Sequence, residues 1–210
     1  MITIIGNQKG GVGKSTLAVL AANYLTMARE WPATIVDMDY QQSIMQKYDK
    51  AKILENKENY EVVPATLDMY PLLKNVLKNN RDGKMVALID LPGKLDDDGL
   101  IPVFQSADLV ICPFAYEEFT FESTILFTVV VKKINPNIAI VFVPNRIKAN
   151  AKFEIMADVN EQLQKFGSIT PVIPDRVDFQ RITTFMTPLT LHPVVAPVFE
   201  EIFAPRLWNK

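Results

Sequence analysis

A glycine-rich segment near the start of the chain limits the folds open to this sequence more than any other feature. Residues 7–16 have the sequence Asn-Gln-Lys-Gly-Gly-Val-Gly-Lys-Ser-Thr. The segment follows a short apolar run, Ile2–Ile5, and leads into Ser15–Met27, whose apolar residues recur near helical spacing. A strand, a glycine-rich turn and a helix in this order are typical of an α/β protein.

Short apolar runs alternate with helical patterns along the rest of the chain. The predicted strands are apolar throughout, which indicates burial on both faces in a parallel sheet covered by helices. The sequence therefore predicts a doubly wound α/β fold, with a mostly parallel sheet and helices on both faces. The predicted strands are Ile2–Ile5, Ala33–Val36, Tyr60–Pro64, Met85–Ile89, Leu109–Cys112, Ile138–Val143 and Ile169–Ile173, and the predicted helices are Ser15–Met27, Tyr70–Asn80, Phe121–Ile134, Ala151–Phe166 and Val194–Leu207, the last interrupted or bounded by Pro197 and Pro205.

Length and composition favour one domain over residues 1–210. The chain has 210 residues, 49% of them hydrophobic, which is enough for a buried core and excludes a disordered chain. The net charge of −2 gives no global reason to expect nucleic acid. No apolar run reaches the ~18 residues of a membrane span and no signal peptide is visible, so we expect a cytoplasmic protein without membrane attachment. The single cysteine, Cys112, excludes a disulfide or a cysteine-built metal site within one chain.

The glycine-rich segment contains the residue types that bind phosphate. Its glycines permit backbone conformations that direct successive N–H groups inward and let the chain approach a phosphate closely. The N-terminus of the following helix adds partial positive charge. Lys14 can reach the β- and γ-phosphates of a nucleotide, and the Ser15 hydroxyl can ligate Mg²⁺. The sequence thus predicts a nucleotide-binding loop formed by Gly10, Gly11, Val12, Gly13, Lys14, Ser15 and Thr16.

A second lysine, Lys9, lies five residues before Lys14, where folding back onto the phosphates of its own loop is awkward. From the residues alone, Lys9 is either a solvated loop lysine or a second cation for the γ-phosphate. The run from Lys9 to Thr16 resembles the deviant Walker A motif of the ParA/MinD superfamily of ATPases, and the preceding Asn-Gln is similar to ParA-type partition proteins. This resemblance implies a P-loop NTPase fold of the deviant Walker A class, in which Lys9 crosses an ATP-sandwich dimer to the partner's nucleotide.

Carboxylates follow two of the predicted strands. Asp37 and Asp39 follow Ala33–Val36, and Asp90 follows Met85–Ile89, so all three are expected near the phosphates at the carboxyl ends of the strands. For Asp37 and Asp39, the alternative is a helix cap only. The segment resembles the family's switch I, Asp-x-Asp-Pro-Gln, which implies that Asp39 positions the attacking water or a water of the Mg²⁺ shell, while Asp37 supports the site. Asp90 has the Walker B pattern, whose carboxylate binds Mg²⁺.

The segment 145–148 stands where a GTPase would carry its guanine-binding Asn/Thr-Lys-x-Asp motif. Its sequence is Asn-Arg-Ile-Lys, without the terminal aspartate, which favours adenine as the base. Asn145 and Arg146 resemble the Asn-Arg pair that lines the adenine pocket in relatives, and Pro174 and Asp175 belong to a segment that resembles the late Ile-Pro loop. The alternative is a strand end and turn that carry these residues by turn chemistry alone.

The resemblance implies an ATP-dependent dimerising switch that hydrolyses ATP with Mg²⁺ to partition or position plasmid, chromosomal or mobile-element DNA. In such a switch Lys9, Lys14 and Asp39 are catalytic, and a ParB-like or other adaptor protein stimulates slow hydrolysis by the ATP-state homodimer. Non-specific DNA binding and nucleoid association are left open; the basic residues considered for DNA contact are Lys148, Lys152, Arg176 and Arg181. The alternative function is an ATP-dependent metabolic ligase similar to dethiobiotin synthetase.

Overall fold

The computed structural model describes residues 1–52, 58–79, 85–94, 97–148 and 155–208. Strands and helices alternate along these residues. The strands are β1 (Ile2–Ile5), β2 (Ala33–Asp37), β3 (Glu61–Pro64), β4 (Val86–Asp90), β5 (Leu109–Phe114), β6 (Ala139–Ile147), β7 (Ser168–Ile169) and β8 (Ile173–Pro174). The helices are α1 (Lys14–Asn23), α2 (Ser43–Lys52), α3 (Tyr70–Asn79), α4 (Leu100–Ser106), α5 (Glu118–Ile134), α6 (Met156–Gln164) and α7 (His192–Leu207).

The eight strands form one parallel sheet. Seven of them follow the order β3-β2-β4-β1-β5-β6-β7, and β8 pairs with β6. Every residue of the inner strands β1, β2, β4 and β5 is buried. Two apolar clusters, one on each face of the sheet, account for that burial, because helices cover both faces. The predicted doubly wound α/β fold is confirmed.

The register of the strands brings the glycine-rich loop and the carboxylates of Asp37 and Asp90 to one edge of the sheet. Asp90, the last residue of β4, pairs with Ile5 of β1 on one side and with Asp37 of β2 on the other. The carboxyl ends of β1, β2 and β4 therefore lie at the same level. The glycine-rich segment leaves β1 at this level, so it begins beside both carboxylates. Ligands of open α/β sheets bind at such an edge.

Several predicted helices differ from the observed ones; α5, for example, starts three residues before the expected Phe121. The helix expected over Ser15–Met27 is regular only over Lys14–Asn23, and a π-helical turn, Tyr24–Ala28, continues it. The C-terminal helix, α7, starts two residues before the expected Val194 and is not interrupted by Pro197 or Pro205. A proline within a helix costs a hydrogen bond, and the burial of one face of α7, which includes Phe199, Ile202 and Phe203, offsets that cost.

One further prediction needs correction. The strand expected over Ile169–Ile173 is instead two short strands, β7 and β8, which both pair with β6. Pro171 separates them, and a proline cannot donate to a sheet ladder. The sequence patterns also gave no prediction for α2 and α4. The start of the helix expected over Ala151–Phe166 lies outside the described residues, as does Asn80 at the end of the helix expected from Tyr70.

Candidate functional site

Two glycines and two side chains from β6 shape the loop after β1. Gly11 and Gly13 have φ values of 77° and 92°, which side chains disfavour. A Cβ atom on Gly13 would also lie 2.4 Å from the Asn145 amide nitrogen. Asn145 Nδ2 donates to the carbonyl of Val12 at 2.8 Å, and the Arg146 guanidinium donates to the carbonyl of Gly11 at 2.8 Å. The loop is therefore held by its carbonyl groups.

The N–H groups of the same loop are available to a ligand. Those of Gly10, Gly11 and Gly13 have no acceptor among the described residues. Gly13 is the N-cap of α1, so the first N–H groups of that helix are unpaired within the helix as well. Unpaired amides and the positive end of a helix dipole together form an anion-binding site.

Asn7 anchors the start of the loop, a role that sequence reasoning missed. The buried Asn7 amide donates to the carbonyl of Pro113 at 2.8 Å and to the Thr124 hydroxyl at 2.9 Å, and its oxygen accepts from the backbone N–H of Lys9. The first two partners lie on β5 and α5. The available signal was the Asn-Gln pair before Lys9, which served only as a family resemblance.

A cleft of about 430 Å³ opens over the loop. Most of its lining consists of residues predicted for the site, but Gln41 and Ser43 were not predicted. Val12, which was also predicted for the loop, is 7% exposed and does not line the cleft. The residues that line the cleft, here called the phosphate cleft, are Gly10, Gly11, Gly13, Lys14, Ser15, Thr16, Asp39, Gln41, Ser43, Gly93 and Arg146.

The two lysines of the loop occupy different environments. Lys14 is 8% exposed and lines the phosphate cleft, and its ammonium lies 3.6 Å from the position of a Cβ atom on Gly93. Burial lowers the pKa of Lys14, and the Asp90 and Asp39 carboxylates oppose that change. Lys9 is exposed and is not part of the cleft lining. One cation is therefore inside the cleft and the other is outside.

Asp90 is fully buried, and neither carboxylate oxygen has a hydrogen-bond partner among the described residues. Burial raises the pKa of Asp90 to about 7, although the neighbouring Ser15 hydroxyl and Lys14 ammonium oppose the change. A buried carboxylate without a well-formed hydrogen bond is costly unless a ligand satisfies it. Mg²⁺ is commonly held by one or two carboxylates, waters and substrate phosphates, so Asp90 and Ser15 fit such an ion beside bound phosphates.

Asp37 and Asp39 have different partners. Asp37 is fully buried, and it accepts hydrogen bonds from the N–H groups of Ile44 and Met45 at 3.1 and 3.0 Å, so it caps the first turn of α2. Asp37 therefore acts as a helix cap, which was the alternative considered for both aspartates. Asp39 is half-buried, accepts from the N–H of Gln41 at 2.9 Å and lines the phosphate cleft.

Replacing Asp37 with alanine is expected to lower the free energy of unfolding by about 2 kcal/mol, since α2 loses its cap and buried N–H groups lose their acceptor. Urea unfolding followed by circular dichroism measures the change. Asp49→Ala, an exposed position on the same helix, is the matched control and should change stability little. Equal effects of the two substitutions would contradict the capping role.

A second cleft of about 300 Å³ adjoins the first, and Gly13, Thr16 and Arg146 line both. Here called the base cleft, it combines an apolar wall with amide and charged groups. Asn145, Arg146 and Asp175 were predicted for a base pocket and line it, whereas Pro174 lies in β8 beside it. Arg176, which ends the segment compared with the late Ile-Pro loop, also lines it. The other lining residues, which the predicted base pocket did not include, are Leu17, Leu20, Lys47, Phe179 and Gln180.

Two kinds of feature are absent from the described residues. Within the described ranges, no helix is both long and apolar enough to cross a membrane. In the same part of the chain, no group of three or more His, Cys, Asp or Glu side chains could hold a metal ion by itself.

Comparison with known proteins identifies the family. The model of the CobQ/CobB/MinD/ParA nucleotide-binding domain matches residues 3–189. A plasmid partition protein from Borrelia burgdorferi is 25% identical with a TM-score of 0.66, over 86% of this chain and 93% of that chain. A Borrelia burgdorferi B31 protein bound to AMPPNP is 26% identical with a TM-score of 0.67, over 86% and 87%. The cell division protein MinD from Aquifex aeolicus is 18% identical with a TM-score of 0.73, over 100% and 97%. A search of curated proteins gives no match.

The family match covers most of the chain and includes the loop, both carboxylate segments and the β6 residues that hold the loop. The MinD likeness concerns the fold, and the two Borrelia proteins are more similar in sequence. The chain belongs to the CobQ/CobB/MinD/ParA family of nucleotide-binding domains.

Proposed function

We propose that this protein is an ATP-dependent dimerising switch that hydrolyses ATP to partition or position DNA. The observation that carries the proposal is the separation of the two loop lysines. Lys14 is buried in the phosphate cleft, whereas Lys9 is exposed on the outside of the same loop. A cation that faces away from its own cleft is available to the cleft of a second copy. The proposed active site is complete only when two copies meet.

The geometry supports ATP as the substrate. The phosphate cleft offers unpaired amides and the Lys14 ammonium to a triphosphate, and the base cleft beside it has room for a nucleoside. The 26% identical Borrelia protein was solved with AMPPNP, an ATP analogue. In the proposed site, Asp90 and Ser15 would hold Mg²⁺, which would neutralise charge on the phosphate oxygens.

The reaction is hydrolysis of the terminal phosphate. A water molecule oriented by Asp39 attacks the γ-phosphorus, and the bond to the β,γ-bridging oxygen breaks, which yields ADP and phosphate. Lys14 balances the charge that develops on the leaving β-phosphate. Lys9 of the partner copy balances charge on the transferred group, the role that an arginine supplied in trans has in other NTPases.

We further propose that the ATP-state dimer binds a ParB-like or other adaptor protein and contacts DNA without sequence preference. The plasmid partition protein from Borrelia burgdorferi motivates this assignment. Of the basic residues considered for DNA contact, Lys148, Arg176 and Arg181 are exposed, and Lys152 lies outside the described residues. Contacts with DNA phosphates should weaken steeply as salt rises, which co-sedimentation at two salt concentrations measures.

Nucleotide-dependent dimerisation is the direct test of the switch. We expect a monomer without nucleotide and a dimer with Mg²⁺ and AMPPNP, because the second copy completes the site; size-exclusion chromatography with light scattering measures both masses. With ATP, the wild type should return to a monomer as ATP is consumed, whereas Asp39→Ala should remain a dimer. A monomer under saturating AMPPNP would contradict the proposal, and a dimer that forms without nucleotide would favour the metabolic ligase.

A further inference from the structure

One face of α2 contacts both clefts. Ser43, the first residue of the helix, lines the phosphate cleft, and Lys47 lines the base cleft. The two residues are four positions apart, so they share one face of the helix. Asp37 holds the first turn of the same helix through Ile44 and Met45. Groups that bind at Lys47 are thereby linked to the segment that carries Asp37 and Asp39.

Lys47 differs from the other cations of the base cleft. The Arg146 guanidinium donates to the carbonyl of Gly11, and Arg176 forms an ion pair with Asp178 at 2.9 Å. Lys47 is exposed and has no hydrogen bond or ion pair within the described residues. Its three ammonium donors are therefore free to bind a ligand in this cleft.

The lining of the base cleft defines the chemistry of that ligand. Leu17, Leu20 and Phe179 provide an apolar wall, with one aromatic ring, that suits the face of a base. Lys47 lines this cleft but not the phosphate cleft. Lys47 is therefore placed beside the cleft that would hold a nucleoside, where an ammonium can donate to the ring nitrogens of a base or the oxygens of a ribose.

We propose that Lys47 is a nucleotide-binding residue that contacts the nucleoside part of the nucleotide and so ties α2 to the bound ligand. The inference rests on the proposed function, since it takes ATP as the ligand. This contact comes from α2, on the switch I side of the cleft. It adds to the contacts that residues of the loop and of β6 offer the nucleotide. Because ATP and ADP share the nucleoside, this contact is present in both states of the switch.

Replacing Lys47 with alanine is expected to raise the dissociation constants of MgATP and MgADP by a similar factor, about tenfold, because each loses one charge-assisted hydrogen bond. Binding of inorganic tripolyphosphate should be unchanged, since it has no nucleoside. Isothermal titration calorimetry measures all three ligands. Lys47→Arg keeps a cationic donor and should restore most of the affinity for both nucleotides.

Lys50→Ala is the matched control, because Lys50 is an exposed lysine of the same helix that lines neither cleft. It should bind all three ligands as the wild type does, and thermal melting should show that both alanine variants fold. Unchanged nucleotide binding by Lys47→Ala overturns this inference and leaves the proposed function intact. An equal loss for tripolyphosphate also overturns it, since the effect is then one of general charge. A wild type that binds no MgATP overturns the proposed function as well.

Discussion

Replacing Lys9 with alanine is expected to lower ATP turnover about 10³-fold, the smaller end of the effect of cations supplied in trans in other NTPases. The affinity for MgATP of the monomer should change little, because Lys9 is exposed and lies outside the phosphate cleft of its own chain. A coupled assay for released phosphate measures turnover, and calorimetry measures binding. Lys50→Ala removes a lysine of similar exposure and should leave turnover unchanged.

Mixing two inactive variants separates action in trans from action within one chain. Asp39→Ala lacks the residue proposed to orient water, and Lys9→Ala lacks the cation proposed for the partner. In a mixed dimer, the copy with intact Asp39 receives Lys9 from the other copy, so one of its two sites is complete. An equal mixture should therefore recover about a quarter of the wild-type turnover if the dimers form at random. No recovery would mean that Lys9 acts on its own nucleotide or not at all.

Much of the fold was predictable because buried parallel strands have a local signature. Runs such as Met85–Ile89 and Leu109–Cys112 are apolar without alternation, and each corresponds to an inner strand of the sheet. Helix α2 has no comparable signature, since only Ile44 and Tyr48 of its ten residues are buried. Its first turn depends on Asp37, which lies outside the helix and is placed by β2, so a pattern search within the segment could not find it.

The residues of the candidate site also fall into two groups: those that a local sequence pattern indicates and those that only the fold brings together. The loop that lines the phosphate cleft could be proposed from the sequence because its glycines, lysine and hydroxyls are consecutive in the chain, and Asp90 could be proposed because it ends an apolar strand. The anchor at Asn7 joins residues 117 positions apart, Asn7 and Thr124, and only the folded sheet brings them together. Lys47 and Phe179 likewise come from separate elements, and neither lies in a motif that indicates a ligand.

Replacing Asp90 with asparagine is expected to stabilise the nucleotide-free protein at alkaline pH. Burial raises the pKa of Asp90 from 3.8 to about 7. The ionised group therefore destabilises the fold, and the cost grows as the pH rises from 3.8 to 7 and is constant above. The nearby Ser15 hydroxyl and Lys14 ammonium favour the ionised form, and the Asp37 and Asp39 carboxylates oppose it; these influences are part of the pKa of about 7.

The raised pKa corresponds to a loss in the free energy of unfolding of about 4 kcal/mol at pH 8 and about 1 kcal/mol at pH 4.5. The stabilising effect of asparagine should therefore shrink by about 3 kcal/mol when the pH is lowered from 8 to 4.5. Urea unfolding with EDTA and without nucleotide measures the difference. Asp49→Asn, an exposed carboxylate, should show no such dependence. With Mg²⁺ and ATP, the wild type should gain more stability than Asp90→Asn, since the variant lacks the carboxylate that fits the ion. A stability difference that is the same at both pH values would show that Asp90 is not buried as a charged group.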